Sequence, residues 1–286
     1  MKKRSADMEA SSSSSLPRAK KSLGQNFLAD ERVIRRIVDA LAPRAGETIV
    51  EIGPGRGALT THLIERAGRV LAVEFDRELV PVLEEKLGSH ENFSLVQADA
   101  LTVDFCALIK PAKSARVVAN LPYYISTAIL QKLIEERRCL TEMVLMLQRE
   151  VVERITAPPA TSERGYLSVL VEAYCEREAL FDVAPGSFRP QPKVWSTVAR
   201  LRLQERPKVE VGDERLLWRI VSAGFRQRRK TILNNLRHAP AGLRESIGRA
   251  GGESRVLAEA SIEESRRAET LTLEEWAGLA RAIEGS

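Results

Sequence analysis

Four consecutive residues, Asn120-Leu121-Pro122-Tyr123, carry groups that can hold a flat nitrogen base. They follow an apolar run, residues 115–119, that is typical of a buried strand. The Asn side chain and a backbone carbonyl can accept hydrogen bonds from an exocyclic amine, Pro stiffens the turn, and Tyr offers a ring for stacking. This combination predicts chemistry on an amino group, provided that a reagent binds nearby.

A glycine-rich turn, EIGPGRG at residues 51–57, lies between a predicted strand and a predicted helix. Glycines at such a turn let the backbone bend tightly and approach a ligand closely at the edge of a sheet. The G-x-G-x-G spacing differs from the dinucleotide-binding G-x-G-x-x-G, which makes a pyrophosphate ligand less favoured. The alternative is a tight turn that serves packing alone.

Carboxylates lie at the ends of the next two predicted strands. Glu74 stands 74 − 53 = 21 positions after Gly53, where a carboxylate can accept both hydroxyls of a ribose. Asp99 can accept a hydrogen bond from an adenine amino group. Glu74 could instead cap a helix that begins near Arg77, and Asp99 could form an Asx turn. Because three strand ends each present a suitable group, the sequence predicts a nucleoside-type reagent beside the 120–123 loop.

The elements that must position these groups alternate along the first half of the chain. Strands are predicted at 48–52, 70–74, 93–97, 116–119 and 143–147, and helices at 30–41, 59–66, 77–87 and 126–137. Such alternation predicts an α/β fold with a doubly wound parallel sheet and helices on both faces.

The pattern changes after residue 148. Helices are predicted at 150–157 and 167–173, and late strands at 180–183 and 197–203 bracket a proline-rich loop. From Glu214 onward only helices are predicted. We therefore expect a disordered, serine-rich tail (1–20), a sheet domain (21–204) and a small all-α C-terminal domain (205–286).

Composition narrows the class of protein. The 286 residues carry a net charge of +5, which is compatible with nucleic-acid binding without establishing it. Cys106, Cys139 and Cys175 are scattered and the three histidines are isolated, so neither a disulfide framework nor a metal site is predicted. No apolar run of about 18 residues or secretory signal occurs. We expect a reduced, cytoplasmic protein with no membrane partner.

Several motifs in fixed order resemble one family. They are LGQNFL (23–28), EIGPGRG (51–57), VE (73–74), QADAL (97–101), NLPY (120–123) and FRPQPKV (188–194). Together they closely resemble the ribosomal RNA adenine N6,N6-dimethyltransferases, over residues from about 20 to 236. The segments MLQREV (146–151) and FRQRRKT (225–231) look more like the small-subunit branch than the branch that acts on large-subunit RNA.

The resemblance implies a Rossmann-like class I methyltransferase sheet and S-adenosylmethionine as the methyl donor. It places donor-binding roles on matching positions: Asn26 and Leu28 at the methionine end, Gly53 beneath it, Glu74 on the ribose, Asp99 on the adenine, and Asn120 near the reactive methyl. It further implies two adjacent adenosines near the 3′ end of small-subunit (16S) rRNA as the target, each methylated twice within a pre-ribosomal particle, by an enzyme that we expect to be a monomer.

The target-base pocket is predicted from the same loop. Hydrogen bonds from the adenine amine to the Asn120 side chain and the Leu121 carbonyl would turn the nitrogen lone pair toward the methyl group. Tyr123 would stack on the extruded base and Phe188 would close its other face, although both rings could be core residues instead. Pro122, between Leu121 and Tyr123, stiffens the loop.

Two positions near this pocket depart from the family's pattern. Tyr124 stands where Asn is frequent, and Trp195 stands where Asp is frequent. Neither is predicted to touch the donor.

A basic cluster is predicted to contact RNA phosphates, with a solvated helix face as the alternative. Its members are Arg215, Arg219, Arg226, Arg228, Arg229, Lys230, Arg237 and Arg244. Lys20 and Lys21 are expected to add to it.

Two other functions remain open at this point. A non-catalytic RNA-binding ribosome assembly factor would use the same basic surface. A nicotinamide-dependent oxidoreductase would share Gly53 and Glu74 but would leave the 120–123 loop unexplained.

Overall fold

A computed structural model of the protein describes residues 17–285. The serine run of the predicted tail, residues 11–15, lies outside this range. Residues 17–20, which the sequence assigns to the same tail, contact the rest of the protein. The Arg56 guanidinium donates a hydrogen bond to the Pro17 carbonyl oxygen over 2.8 Å.

The strands of the described chain are β1 (Phe27–Leu28), β2 (Thr48–Ile52), β3 (Arg69–Glu74), β4 (Phe93–Gln97), β5 (Ala115–Asn120), β6 (Leu140–Gln148), β7 (Cys175–Val183), β8 (Phe188–Arg189) and β9 (Ser196–Leu203). The α-helices are α1 (Glu31–Leu41), α2 (Ala58–Ile64), α3 (Val80–Leu87), α4 (Phe105–Leu108), α5 (Ser126–Glu135), α6 (Arg149–Thr156), α7 (Tyr166–Tyr174), α8 (Glu214–Gly224), α9 (Ile232–Arg237), α10 (Ala241–Arg249), α11 (Glu253–Glu259) and α12 (Leu273–Glu284).

The main sheet has the strand order β4-β3-β2-β5-β6-β9-β7. The strands from β4 to β6 are parallel, as predicted. The late strands make the sheet mixed, because β9 lies antiparallel between β6 and β7. β1 and β8 form a separate antiparallel pair that the sequence did not predict. The carboxyl ends of β2, β3, β4 and β5 therefore meet at one edge of the sheet.

Both faces of the sheet are covered, which confirms the doubly wound α/β prediction. All five residues of β2 are buried. Ile49 packs on one face with residues of α1 and α2, and Val50 packs on the other with residues of α5. α1 begins as the sequence predicts, because the Asp30 carboxylate accepts a hydrogen bond from the backbone N–H of Arg32.

The C-terminal helices pack against the sheet layer through one shared core. That core joins residues of β5 and β6 with Leu217 of α8 and Trp276 of α12. Polar contacts cross the same boundary: Arg137 forms an ion pair with Glu214 over 2.7 Å, and the Trp218 indole donates to the Tyr174 hydroxyl over 3.0 Å. The division of the chain into domains at residues 204 and 205 stays a prediction.

The expectation of reduced cysteines is wrong for two of the three, because Cys106 and Cys139 form a disulfide. They are 33 residues apart, so no local spacing reveals the pairing; α4 and the turn before β6 bring them together. The closed loop contains β5, the 120–123 loop and α5, and closing a loop of that length disfavours the unfolded chain by about 3 to 4 kcal/mol. Cys175 is free and buried.

Among residues 17–285, no helix is both long and apolar enough to cross a membrane.

Candidate active site

A cavity of about 230 Å³ opens at the carboxyl edge of β2, β3 and β5. It is covered on one side by the segment 23–27, which precedes α1. The structure brings together most of the residues that the sequence proposes for the site: Asn26, Gly53, Glu74, Asp99, Asn120, Leu121, Pro122 and Tyr123 all line this cavity.

The glycine turn forms the floor of the cavity. Gly53 and Gly55 have φ angles of 67° and 60°, which lie in the left-handed region that side chains disfavour. A Cβ atom on Gly53 would meet no atom within 4 Å, whereas one on Gly55 would lie 3.0 Å from the Phe27 ring. Gly53 therefore leaves room for a ligand to approach the backbone, and Gly55 leaves room for the segment above it.

Glu74 is held at the end of β3 with its carboxylate oriented by the backbone. One oxygen accepts from the Gly55 N–H over 3.1 Å, and the other accepts from the Asp76 N–H over 2.7 Å. Burial raises the pKa of Glu74, and these two N–H groups oppose the rise. The helix-cap alternative is wrong, because α3 begins only at Val80. Each oxygen keeps a second lone pair for a ligand hydroxyl.

Asp99 lies at the end of the cavity beyond β4. Its Oδ1 accepts from the Leu101 N–H over 2.9 Å, so the Asx turn considered from the sequence is present. Its Oδ2 accepts no hydrogen bond from residues 17–285 and stays available to a ligand. The Phe75 ring also lines the cavity and is 59 % exposed. Sequence reasoning missed Phe75, although an aromatic residue directly after a strand-end carboxylate was a readable signal.

Asn120 presents an acceptor oxygen to the cavity. Its amide nitrogen donates to the Asn26 carbonyl oxygen over 3.1 Å, which turns Oδ1 away from that contact. No donor among the described residues uses Oδ1. The next residue is held as well, since the Leu121 N–H donates to the Met146 carbonyl oxygen over 3.3 Å. The two acceptors that an amine would need are therefore adjacent and fixed.

Tyr123 is partly buried at the mouth of the cavity. Its hydroxyl hydrogen-bonds the Ser196 hydroxyl over 2.7 Å, and burial raises the pKa of the phenol. The hydroxyl is therefore neutral near pH 7 and serves to fix the ring. Ser196 is a positioning residue that sequence reasoning missed, and its 73-residue separation from Tyr123 left no local signal.

Two of the predicted site residues, Leu28 and Phe188, do not line the cavity. Leu28 and Phe188 pair with each other across β1 and β8 and are buried in the core on the α1 side of the sheet. Phe188 has no exposed surface, and neither residue lines the cavity. Both side chains are apolar, and burial in the core is more favourable than exposure at a polar site. Phe188 instead holds down the segment that carries Asn26.

The segment before β1 is tied to the end of β3. Asp76 accepts from the Gln25 amide over 2.8 Å and from the Lys20 ammonium over 2.7 Å, and Lys20 also pairs with Glu78 over 3.0 Å. Lys20 is paired with two carboxylates within the described chain, so its expected contribution to an RNA-binding surface stays a prediction. These contacts position the cover of the cavity.

A second carboxyl group, Glu51, lies beneath the cavity in the middle of the sheet. It is 2 % exposed, and its Oε2 has no hydrogen-bond partner within residues 17–285. Burial raises the pKa of Glu51 to about 8, and the nearby Glu74 carboxylate adds to the rise. Glu51 is thus mostly protonated at neutral pH.

We expect Glu51→Gln to flatten the pH dependence of stability. Because the pKa of Glu51 is about 8 in the folded protein, against an ordinary value of 4.5, the folded state retains a proton that the unfolded chain loses. Stability is therefore lost as pH rises from about 4.5 to about 8. The variant avoids a loss on the order of 5 kcal/mol. Urea unfolding at pH 5, 7 and 9 measures it, with the exposed Glu65→Gln as control. If the free energy of unfolding changes with pH in the same way in Glu51→Gln and the wild type, the raised pKa of Glu51 is contradicted.

Comparison with known proteins gives consistent results. The family model described as "Ribosomal RNA adenine dimethylase" matches residues 17–278. The protein "Ribosomal RNA small subunit methyltransferase A" of Alkaliphilus oremlandii is 44 % identical over 266 residues, covering 92 % of this chain and 91 % of that one. The protein of the same name from Clostridium botulinum is 41 % identical over 263 residues, covering 92 % and 93 %.

Solved structures share the architecture. A dimethyladenosine transferase from Plasmodium falciparum superposes with a TM-score of 0.74 at 22 % identity, covering 88 % of this chain and 95 % of that one. The 23S rRNA methyltransferase ErmE superposes with a TM-score of 0.64 at 28 % identity, covering 91 % and 100 %. The similarity to the Plasmodium protein supports the fold alone, and the similarity to ErmE extends over the whole ErmE chain.

Proposed function

The chain belongs to the ribosomal RNA adenine dimethylase family, and from that premise we propose that it transfers methyl groups from S-adenosylmethionine to N6 of two adjacent adenosines near the 3′ end of 16S rRNA. The observation that carries the proposal is Asn120, whose free Oδ1 faces a cavity suited to a nucleoside. The relatives named small subunit methyltransferase A support the small subunit as substrate. We propose that the enzyme acts as a cytoplasmic monomer on a pre-ribosomal particle.

The residues of the cavity fit S-adenosylmethionine. Gly53 leaves open space above the backbone, Glu74 offers acceptors for two ribose hydroxyls, and Asp99 offers Oδ2 to an adenine amine. Phe75 supplies an exposed ring at the same end of the cavity. When bound, this donor supplies a methyl group on a positively charged sulfur. Asn26 would lie at its methionine end.

The chain's own contribution to transfer is positioning. The lone pair of an adenine amine is delocalised into the ring, so the nitrogen is a poor nucleophile. Asn120 Oδ1 and the Leu121 carbonyl oxygen would accept hydrogen bonds from the two N–H groups of the amine and favour a pyramidal nitrogen with an outward lone pair. The fixed acceptors cost no reorganisation during reaction, and the proton can leave after the C–N bond forms. After the first transfer one N–H remains, so a single acceptor holds it.

Tyr123 would support the target base by stacking. Its ring is fixed by Ser196 and lines the cavity beside Asn120. Because Phe188 is buried, the opposite face of the base must be covered by another group or by the RNA itself. The adenosine has to leave its own stack to reach this depth, which is the usual requirement for enzymes that modify bases.

The basic cluster predicted from the sequence is a candidate RNA surface. Its eight members are all exposed, and none forms an ion pair within the described chain. Arg226 donates to the His238 carbonyl oxygen over 3.2 Å, and Arg228 donates to carbonyl oxygens of residues 162 and 164, so neither contact neutralises charge. By contrast, Arg116 pairs with both Glu47 and Glu142. Unpaired cations of this kind suit RNA phosphates.

We expect the double variant Arg229→Ala, Lys230→Ala to bind the small-subunit substrate about tenfold more weakly at low salt. Each lost phosphate contact should also reduce the salt dependence of binding by about one counterion. Filter binding across a salt series measures both quantities. Arg35→Ala is the matched control, because that exposed arginine pairs with Glu31. Unchanged binding and salt slope in the double variant would remove these residues from the RNA surface.

The proposed function is tested with labelled S-adenosylmethionine and small subunits that lack dimethyladenosine. We expect label in two adjacent adenosines near the 16S 3′ end and none in fully methylated subunits. Nucleoside analysis should give N6,N6-dimethyladenosine. Label in large-subunit RNA, or in another nucleoside, would overturn the proposal. Calorimetry with S-adenosylmethionine against NAD separates it from the oxidoreductase alternative.

A further inference from the structure

The exposed large apolar side chains of the described chain are confined to loops at one edge of the sheet. They are Phe75, Tyr124, Val194 and Trp195. Phe75 follows β3 and Tyr124 follows β5. Val194 and Trp195 directly precede β9, whose first residue Ser196 pairs with Gln148, the last residue of β6. Because β9 runs antiparallel to β6, its start lies at the carboxyl edge, where the cavity opens.

The position of Trp195 is fixed by its neighbours. Its carbonyl oxygen accepts from the Arg149 N–H over 3.0 Å, and the adjacent Ser196 hydroxyl holds Tyr123. The indole is nevertheless 49 % exposed. β9 is two strands away from β5, which at the usual strand spacing of about 4.8 Å places the Trp195 backbone roughly 10 Å to the side of β5, and Trp195 does not line the cavity. It is therefore beside the target-base pocket rather than inside it.

The surroundings of Trp195 suit a nucleotide. Lys193 is exposed and forms no ion pair within residues 17–285. Lys193 precedes Trp195 by two positions, so one exposed loop carries both a cation that attracts phosphate and a ring for stacking, as in sites that hold single-stranded nucleic acid. Phe75 and Tyr124 already line the cavity, whereas Trp195 has no role in the proposed transfer. An indole this exposed and this close to a reactive site is a candidate contact for a ligand.

We propose that Trp195, with Lys193, forms a stacking site for an unpaired nucleotide next to the target adenosine in the RNA. The inference rests on the proposed function, because it takes the same RNA strand as the ligand. While Asn120 and Tyr123 hold the target base, Trp195 stacks on a neighbouring base of the strand. This contact sets the register that selects which adenosine enters the pocket. The ligand is a nucleobase with its phosphate, and any of the four bases can stack.

Fluorescence tests binding without requiring methyl transfer. The tryptophans are Trp195, Trp218 and Trp276, and Trp276 is fully buried. In a Trp218→Phe background, Trp195 is the exposed emitter. Titration with a single-stranded oligoadenylate RNA hexamer should quench its emission, and Trp195→Phe should abolish the quenching. Emission that does not change at saturating RNA would overturn the proposal.

Kinetics with immature small subunits supply the second measurement. Because stacking one base is worth about 1–3 kcal/mol, we expect Trp195→Ala to raise the KM for the subunit about 5- to 150-fold. Its kcat and its affinity for S-adenosylmethionine should stay unchanged. Trp195→Phe should keep the KM within about threefold, whereas Trp195→Leu, apolar but without a π face, should behave like Ala.

The outcomes separate this inference from the proposed function. If the wild-type protein transfers methyl groups and the Trp195→Ala variant has the same KM, the stacking site is overturned and the methyltransferase proposal stands. If RNA quenches the Trp195 emission of a wild-type protein that transfers no methyl group, the stacking site stands and the methyltransferase proposal is overturned. If Trp195→Ala raises the KM for small subunits but not for protein-free 16S rRNA, the contact of Trp195 is with a ribosomal protein and the inference is overturned.

Discussion

Asn120→Ala is expected to lower the rate constant of methyl transfer by about 10²- to 10³-fold. The change removes the Oδ1 acceptor, and fixed polar groups at a reacting centre are typically worth that much. It also frees the Asn26 carbonyl, which now accepts from the Asn120 amide over 3.1 Å. Single-turnover transfer from labelled donor to immature small subunits measures the chemical step without product release.

Two comparison variants define what the Asn120 result means. Asn120→Asp retains acceptor oxygens but cannot donate to the Asn26 carbonyl, so we expect it to be impaired as well. Asn92→Ala is the matched control: that amide donates to carbonyl oxygens of Ile64 and Ala67, far from the 120–123 loop, and its loss should leave the rate constant unchanged in the folded fraction. Full activity in Asn120→Ala would show that the loop does not hold the reacting amine.

The Asn120 variant also separates catalysis from assembly. The basic cluster of the C-terminal helices does not include Asn120, so Asn120→Ala should bind immature subunits with wild-type affinity. If subunit maturation proceeds normally with this inactive variant, the assembly function of a non-catalytic RNA-binding factor is sufficient. If maturation fails although binding is intact, methylation itself is required.

Glu74→Ala is expected to weaken S-adenosylmethionine binding by at least about 100-fold. A hydrogen bond to a charged group contributes about 1.5–3 kcal/mol, and this carboxylate is placed to accept two ribose hydroxyls. The variant also leaves the Gly55 and Asp76 N–H groups without their acceptor, which loosens the glycine turn. Calorimetric titration with the donor and with S-adenosylhomocysteine measures the loss.

The controls for Glu74 use neighbouring carboxylates. Glu85→Ala removes an exposed carboxylate on α3 that neither lines the cavity nor contacts its cover, and it should change donor affinity less than twofold. Asp99→Ala removes one acceptor for the adenine and should weaken binding about tenfold. Glu74→Gln keeps the size of the side chain with one acceptor oxygen, so an intermediate affinity is expected. Donor binding within fivefold of wild type in a folded Glu74→Ala variant would contradict the ribose assignment.

The fold was predictable where its signals are local. Apolar runs located β2 and β4 at their observed bounds, and the Asp30 cap located the start of α1. α3 begins at Val80 rather than near Arg77, because a turn rather than helix follows Asp76. The two-residue strands β1 and β8 are too short to have a periodicity, and they exist only because Phe27 and Leu28 meet Phe188 and Arg189 across the fold.

The site was predictable as a set of strand ends. Gly53, Glu74, Asp99 and Asn120 each follow or end a parallel strand, and parallel strands deliver such residues to one edge of the sheet. Residues that complete the site from distant segments were not predictable in this way. Ser196 reaches Tyr123 from β9, and Asp76 is tied to Lys20 from 56 positions away.

The sequence by itself determined the chemistry of this protein: the groups at the strand ends, their order along the chain, and the family that this order defines. Only the tertiary structure decided how each group is used. In the folded chain the Asn26 carbonyl oxygen orients the Asn120 amide, Leu28 and Phe188 are buried in the core, and Cys106 is bonded to Cys139. The physical reason is that periodicity and turn chemistry act over a few residues, whereas hydrogen bonds and burial are satisfied between segments that meet only when the sheet has formed.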